Sequence, residues 1–336
     1  MDRSGLFRIM KTDGKEKLLL VTTRKEAKSE LERIREEYGA EYEIIGIAYP
    51  RENPEYGEET EGVPVVCRAE DISCYIQTKW VDAVMISAGS EMLLPVWVIR
   101  VCTSMGVTVH CEVGDLTVTS GIRIIPRRQK IIKRVLDICG GTVGLILTGI
   151  ITLFLAPAIW LSSPGPVFFS QTRIGQNGRR FKIYKFRSMY TDAEKRKVEL
   201  MESNEMNGLM FKMEDDPRII GSGPDGKRHG LGWFIRRTSL DEFPQFLNVL
   251  KGDMSLVGTR PPTEDEWMEY TPRQRARLSV KPGLTGIWQV SGRSSITDFD
   301  EVVRMDMEYV RNWDPALDLQ ILFKTVFVVF GGTGAK

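Results

Sequence analysis

Residues 138–172 read ICGGTVGLILTGIITLFLAPAIWLSSPGPVFFSQT, 35 positions without a charged side chain. The core of that run, VGLILTGIITLFLAPAIWL over 143–161, is long and apolar enough for a membrane segment. Its flanks decide how such a segment sits. Arg127, Arg128, Lys130, Lys133 and Arg134 crowd into the eight positions 127–134 with no acid among them. On the other side Arg173, Arg179, Arg180, Lys182, Lys185 and Arg187 follow, again without an intervening acid. Basic excess belongs on the cytoplasmic side, so basic flanks at both ends favour a segment that enters the inner leaflet and returns. A plain spanning helix is the alternative, and it would put a bilayer between the two halves of the chain. Gly149 and Pro157 offer places for a re-entrant helix to break.

Upstream, residues 17–113 alternate short apolar runs with amphipathic ones: KLLLVT, the charged stretch Arg24 to Glu37, EIIGIAY, a helical stretch near Ala69 to Lys79, VDAVMIS, a helix from about Glu91 to Ser104, and VTVHCEV. That order predicts an α/β domain with a small parallel, Rossmann-like sheet. The turn after the first strand, TTRKEAKSE, has no glycine to let the backbone approach a pyrophosphate. A regulatory or oligomerising domain, a candidate homo-oligomer contact, is therefore preferred over a nucleotide site. Downstream, residues 180–336 are polar with short apolar clusters, rich in Arg and Lys and punctuated by Gly and Pro, and read as a soluble or interfacial catalytic region. The fold expected for the catalytic domain is mainly α with short β elements. Within it LDLQILFKTVFVVF is only 14 residues, too short to cross about 30 Å of hydrocarbon, and reads as an interfacial or core helix. The division expected is 1–125, 126–172 and 173–336.

Composition narrows the function classes. The basic cluster at 127–134 seeks phosphate, although the net charge is only +1. Five cysteines (Cys67, Cys74, Cys102, Cys111 and Cys139) show no CxxC spacing and come with only two histidines, which argues against a disulfide framework or a zinc site. Residues 1–17 contain no apolar signal-like core, so the amino terminus is expected to stay in the cytoplasm.

The most informative polar stretch is Arg236-Arg237-Thr238-Ser239-Leu240-Asp241-Glu242-Phe243-Pro244. Two adjacent carboxylates follow two arginines at what reads as a helix start. Ser239 and Glu242 have the spacing of a capping box, which would make the acids structural. The same helix start beside guanidinium groups would also keep a carboxylate ionised and attract phosphate. Arg260, between Gly258 and Pro261, and Arg293, after Gly292, sit in turns where a planar guanidinium suits bidentate phosphate binding.

Together KIIKRVLDI, RIGQNGRRFKIYKFRSM, RRTSLDEFPQFLNVLKGDMSLVGTRP, KPGLTGIWQVSGR and MDMEYVRNWDPALDLQILFKT resemble the bacterial sugar transferases, monotopic phosphoglycosyl transferases that begin exopolysaccharide, capsule and O-antigen assembly. The resemblance runs from about Lys130 onward; residues 17–125 are more loosely similar to the Rossmann-like domain of the larger members. It implies Asp241 as nucleophile and Mg²⁺ ligand, with Glu242 in support. Arg236, Arg260, Arg293, Lys185 and Arg187 fall on positions that hold phosphates. A UDP-sugar and undecaprenyl phosphate are the implied substrates, UMP the implied leaving group, and the cytoplasmic face of the inner membrane, with its lipid, the implied place; nucleic acid is not an expected partner. The rivals are a UDP-sugar glycosyltransferase that releases UDP and a non-catalytic membrane-tethered scaffold. Three departures stand out. The larger members' four transmembrane helices ahead of the Rossmann-like domain have no counterpart; the usual Ser-Pro break is replaced by TGII around Gly149; and GPRP reads GTRP, with Thr259 expected to loosen the turn that presents Arg260.

Overall fold

The computed structural model describes residues 15–50, 55, 57–87, 96–113, 116–122, 126–200, 213, 215–292, 296 and 298–331. They form two compact units. The first comprises the described residues up to 122 with two segments from further along the chain, Gln176–Arg180 and Tyr270–Val280.

Its centre is a seven-stranded sheet: β1 (Glu16–Val21), β2 (Tyr42–Tyr49), β3 (Glu59–Thr60), β4 (Val63–Arg68), β5 (Ala83–Ser87), β6 (Thr108–Val113) and β7 (Leu116–Ser120), in the order β3-β4-β2-β1-β5-β6-β7. The five inner strands are parallel, as the alternation predicts, while β3 and β7 pair antiparallel at the edges. The sheet is thus mixed and larger than the parallel set read from the sequence. Side chains alternate across it. Leu18 and Leu20 join Leu31 and Ile34 of the helix Ala27–Tyr38 on one face, and Leu19 and Val21 join Ile72, Ile76, Val98 and Cys102 on the other. A stretch of strand buried on both faces must be apolar throughout, which is why Leu18–Val21 is unbroken, while Lys17 ahead of it is only part-buried and pairs with Glu43. The two added segments are tied in by specific bonds: Asn177 donates its amide to Asp82 at 3.0 Å, and Arg275 donates to the Gln77 carbonyl at 3.2 Å.

The second unit is built on one helix, Arg127–Ser162, of 36 residues. At 1.5 Å per residue it is about 54 Å long. It runs without interruption through Gly149 and Pro157, so neither residue that could break it does so. Most of its apolar stretch is uncovered, whereas a core helix would be covered. Val143, Ile146, Ile150, Leu153, Phe154 and Leu161 are all more than half exposed, along one face. This apolar face is compatible with membrane association.

The other face packs on the unit along nearly its whole length. Gly140, Gly141 and Gly144 let the backbone approach Leu256, Leu250 and Phe246, whose side chains would clash with a methyl group there. Asp137 accepts from the Ser255 hydroxyl and the Leu256 N–H, both at 2.8 Å. Toward the far end Leu155 and Ile159 join Phe186, Ile220 and Ile235 in a buried cluster. The basic cluster before the apolar run is divided by this packing. Lys133 pairs with Asp318 at 2.7 Å, and Arg134 donates to the Val249 and Leu250 carbonyls at 2.8 Å each, while Arg128 and Lys130 are exposed. Arg127's side chain lies outside the described ones. At most part of the cluster therefore faces phosphate. The carboxyl-terminal helix, Pro315–Gly331, buries Asp318 and Ile321 and exposes Leu319, Phe323, Val326 and Phe327, a two-faced pattern that fits an interfacial helix.

Candidate active site

The dyad sits on a short 3₁₀ helix, Leu240–Gln245, reached from the helix Leu231–Arg237 through a sharp turn at Ser239. Ser239 holds a left-handed φ of 55°, which costs a residue with a Cβ about 1 to 2 kcal/mol. Its side chain makes no capping bond. The capping box suggested by the spacing is therefore not formed, because an N-cap requires an extended backbone at the serine. Glu242 turns instead to Lys185 on the strand β9 (Arg180–Phe186), which pairs with β8 (Phe168–Ile174). The Lys185 ammonium lies 3.1 Å from Glu242 Oε1 and 3.4 Å from Asp241 Oδ2. Asp241 is buried, and Lys185 and Glu242 are each about a quarter exposed or less, so screening of this three-charge cluster is incomplete.

The long apolar helix supports this turn directly. Thr148, buried in mid-helix, donates to the Gly144 carbonyl at 2.7 Å and approaches the Phe243 carbonyl of the dyad turn at 3.0 Å.

The other basic candidates are seen in other contacts. Arg236 is exposed in the last turn of its helix and adds to the positive field on buried Asp216, which holds a bidentate pair with Arg218. Arg187 is buried and donates through Nη2 to the Ser163 carbonyl, just past the end of the apolar helix; its Nε and Nη1 find no partner among the described residues. Burial pushes its guanidinium pKa down. Arg260 donates to Glu266 at 3.2 Å. Its turn is not loose: Thr259 is fully buried and bridges Pro282, and Gly283 donates to the Thr259 carbonyl at 2.9 Å, beside the parallel pair β10 (Ser255–Val257) and β11 (Gly283–Thr285). Gly258 and Gly283 approach so closely that a Cβ on either would collide with the other's backbone. Arg293 lies outside the described residues.

Glu266 and Asp216 carry no signal in the sequence analysis. Burial alone would push both carboxyls up. At Glu266 the charges of Arg260 and Arg173 with the Thr263 N–H reverse this, and at Asp216 bonds from Arg218 and the Arg236 charge do so, leaving both below their usual values. A carboxyl depressed in the folded state contributes stability that is complete above its unfolded pKa, about 4, and is lost as pH falls through the lower folded value. Thermal unfolding followed from pH 7 to 3 should therefore change little above about pH 5 and fall steeply below pH 4. Glu266→Gln should flatten the acid limb, and an unchanged limb would contradict this assignment.

Carboxylates beside an ammonium, on a turn held from beneath by an apolar helix, can attack phosphorus or bind a cation that carries a diphosphate. Among the described residues no group of three or more His, Cys, Asp and Glu side chains is placed to hold a metal ion. Mg²⁺ commonly takes one or two carboxylates plus substrate phosphates, so Asp241 and Glu242 are a donor set that fits it.

Residues 128–332 match the family described as bacterial sugar transferase. Three relatives frame the match. Galactosyl transferase CpsE of Streptococcus agalactiae serotype III is 52% identical over 66% of this chain and 47% of its own. Undecaprenyl-phosphate galactose phosphotransferase of Salmonella typhimurium is 40% identical over 62% of this chain and 42% of its own. UDP-glucose:undecaprenyl-phosphate glucose-1-phosphate transferase of Escherichia coli is 38% identical over 60% and 41%. The matched part of this chain thus spans less than half the length of each.

Proposed function

This chain belongs to the bacterial sugar transferase family, and from that premise we propose that it moves a sugar-1-phosphate from a UDP-sugar to undecaprenyl phosphate and releases UMP. The observation that carries the reading is the Lys185 ammonium set against both carboxylates of the Asp241–Glu242 dyad. In the first step an Asp241 oxygen bonds to the sugar-bearing phosphorus and the bond to UMP breaks. In the second an oxygen of the lipid phosphate attacks the same phosphorus and frees Asp241. Glu242 and Lys185 hold charge in place around the aspartate. Mg²⁺, held by Asp241, would neutralise the diphosphate. Phosphoryl transfer depends mainly on such positioning and charge compensation. Arg236, Arg260, Arg293 and Arg187 are assigned to phosphates of the two substrates. The relatives' names make UDP-galactose and UDP-glucose the first donors to try.

Nucleotide release across a panel of UDP-sugars with undecaprenyl phosphate tests the reading. UMP is the expected product, and UDP in its place would establish an ordinary glycosyltransferase.

Arg260→Lys should lower kcat/KM, with a loss of about 1 to 3 kcal/mol in transition-state binding, because an ammonium cannot reproduce the guanidinium fork. Near-normal turnover in that variant would restrict Arg260 to its pair with Glu266.

Placement on the cytoplasmic face of the inner membrane, with the long helix entering one leaflet only, belongs to the same proposal. Its support is that Lys133, Asp137, Gly144, Thr148, Ile159 and Ser163 all touch elements of one compact unit. A spanning helix would carry its two ends to opposite sides of the bilayer. Single cysteines placed beside Arg128 and Arg179, with the exposed native cysteines removed, should both be labelled from the cytoplasmic side only. Labelling from opposite sides would establish a spanning helix.

A further inference from the structure

We propose that Asn248 is a positioning residue that sets Lys185 against the carboxylate dyad. Asn248 lies on the helix Phe246–Lys251, which continues from the dyad turn, and it is completely buried. An apolar residue would fill such a site without the need to satisfy a primary amide. Both ends of the amide are used on the same strand: Nδ2 donates to the Lys182 carbonyl at 2.7 Å, and Oδ1 accepts the Tyr184 N–H at 3.2 Å.

A carbonyl at one residue and an N–H two residues on are the groups that a neighbouring parallel strand would engage. The Asn248 amide thus substitutes for a strand on β9, whose sheet has two strands, β8 and β9. Lys185 is the next residue after Tyr184, and its ammonium meets Glu242 and Asp241 six and seven positions before Asn248. One side chain therefore fixes the strand that carries the cation to the helix that directly follows the turn carrying the anions. The register matters because a slip of one residue along β9 would turn Lys185 to the opposite face.

The role requires the dyad to be the reaction centre. If that reading failed, the wild-type protein would release no UMP; the labelling measurement below does not depend on turnover. Asn248→Ala, Lys185→Met and the double variant are to be compared by UMP release with UDP-sugar, Mg²⁺ and undecaprenyl phosphate. Each single substitution should reduce kcat on the order of 10- to 100-fold, the scale of a misplaced catalytic group. The double variant should be no slower than the slower single variant, since both remove one interaction. Losses that multiply in the double variant, or a normal kcat in Asn248→Ala, would overturn the proposal. In parallel, acetylation of Lys185 by a water-soluble reagent, read by mass spectrometry, should be several-fold faster in Asn248→Ala, because the ammonium leaves its carboxylates. Unchanged Lys185 reactivity in a folded variant would also overturn it. Should Asn248→Ala fail to fold, Asn248→Ser serves for both measurements with the same expected and contrary results.

Discussion

Asp241→Asn is expected to bring UMP release to background while the protein remains folded. An amide has no anionic oxygen to attack phosphorus and is a poor Mg²⁺ ligand, so both roles proposed for the residue are lost together. The structural cost is smaller. Asp241 is buried and meets Lys185 at 3.4 Å, but Lys185 keeps its closer contact with Glu242 at 3.1 Å. A loss of about 0.5 to 1.5 kcal/mol, the net worth of one hydrogen bond, is the expected scale. Thermal unfolding and turnover must therefore be measured on the same preparation. A well-folded variant that still releases UMP at a substantial rate would leave the dyad a structural or metal-binding role.

The largest effect on stability is expected from Lys133→Met. Lys133 Nζ lies 2.7 Å from Asp318 Oδ2, 2.9 Å from the Val257 carbonyl and 3.2 Å from the Tyr309 hydroxyl. It joins the long helix to β10 and to both carboxyl-terminal helices, Phe299–Asn312 and Pro315–Gly331. The Asp318 side chain is only 5% exposed, so removing the cation leaves a carboxylate that water can barely reach. Breaking a buried pair from one side costs about 3 to 5 kcal/mol. Here the Tyr309 and Trp313 donors to Oδ1, at 2.8 and 3.0 Å, keep the cost at the lower end. Thermal unfolding in detergent or nanodiscs should show a clear drop. Lys133→Met with Asp318→Asn should recover part of it, because the stranded charge is then gone. Wild-type stability in the single variant would mean that this cluster does not hold the carboxyl-terminal helices.

These particulars separate what the sequence discloses from what it withholds. Leu18–Val21 and Ala83–Ile86 are legible because their apolar runs are unbroken, as burial on both faces requires. The edge strands β3 and β7 and the inner strand β4 escape because Glu59–Thr60 is only two residues long, Val63–Arg68 contains a proline and Leu116–Ser120 is three-fifths threonine and serine. Asp241 and Glu242 are legible as adjacent acids, yet the capping box that the Ser239–Glu242 spacing suggests is undone by the φ of Ser239, a backbone property that spacing does not encode. The cluster at 127–134 reads as five equivalent charges, but its helix turns Lys133 and Arg134 into the fold. Asn248 acts through partners 64 and 66 residues away, and Glu266 and Asp216 through near neighbours in stretches of ordinary composition, so only the folded chain brings them to notice.

Wild-type protein incubated with Mg²⁺ and a UDP-sugar it accepts, without lipid, should gain the mass of one sugar phosphate. Peptide mapping should place that mass on Asp241, it should be absent from Asp241→Asn, and adding undecaprenyl phosphate should remove it as the lipid-linked sugar appears. Turnover with no adduct under these conditions, or an adduct on any other residue, would contradict a covalent step at Asp241.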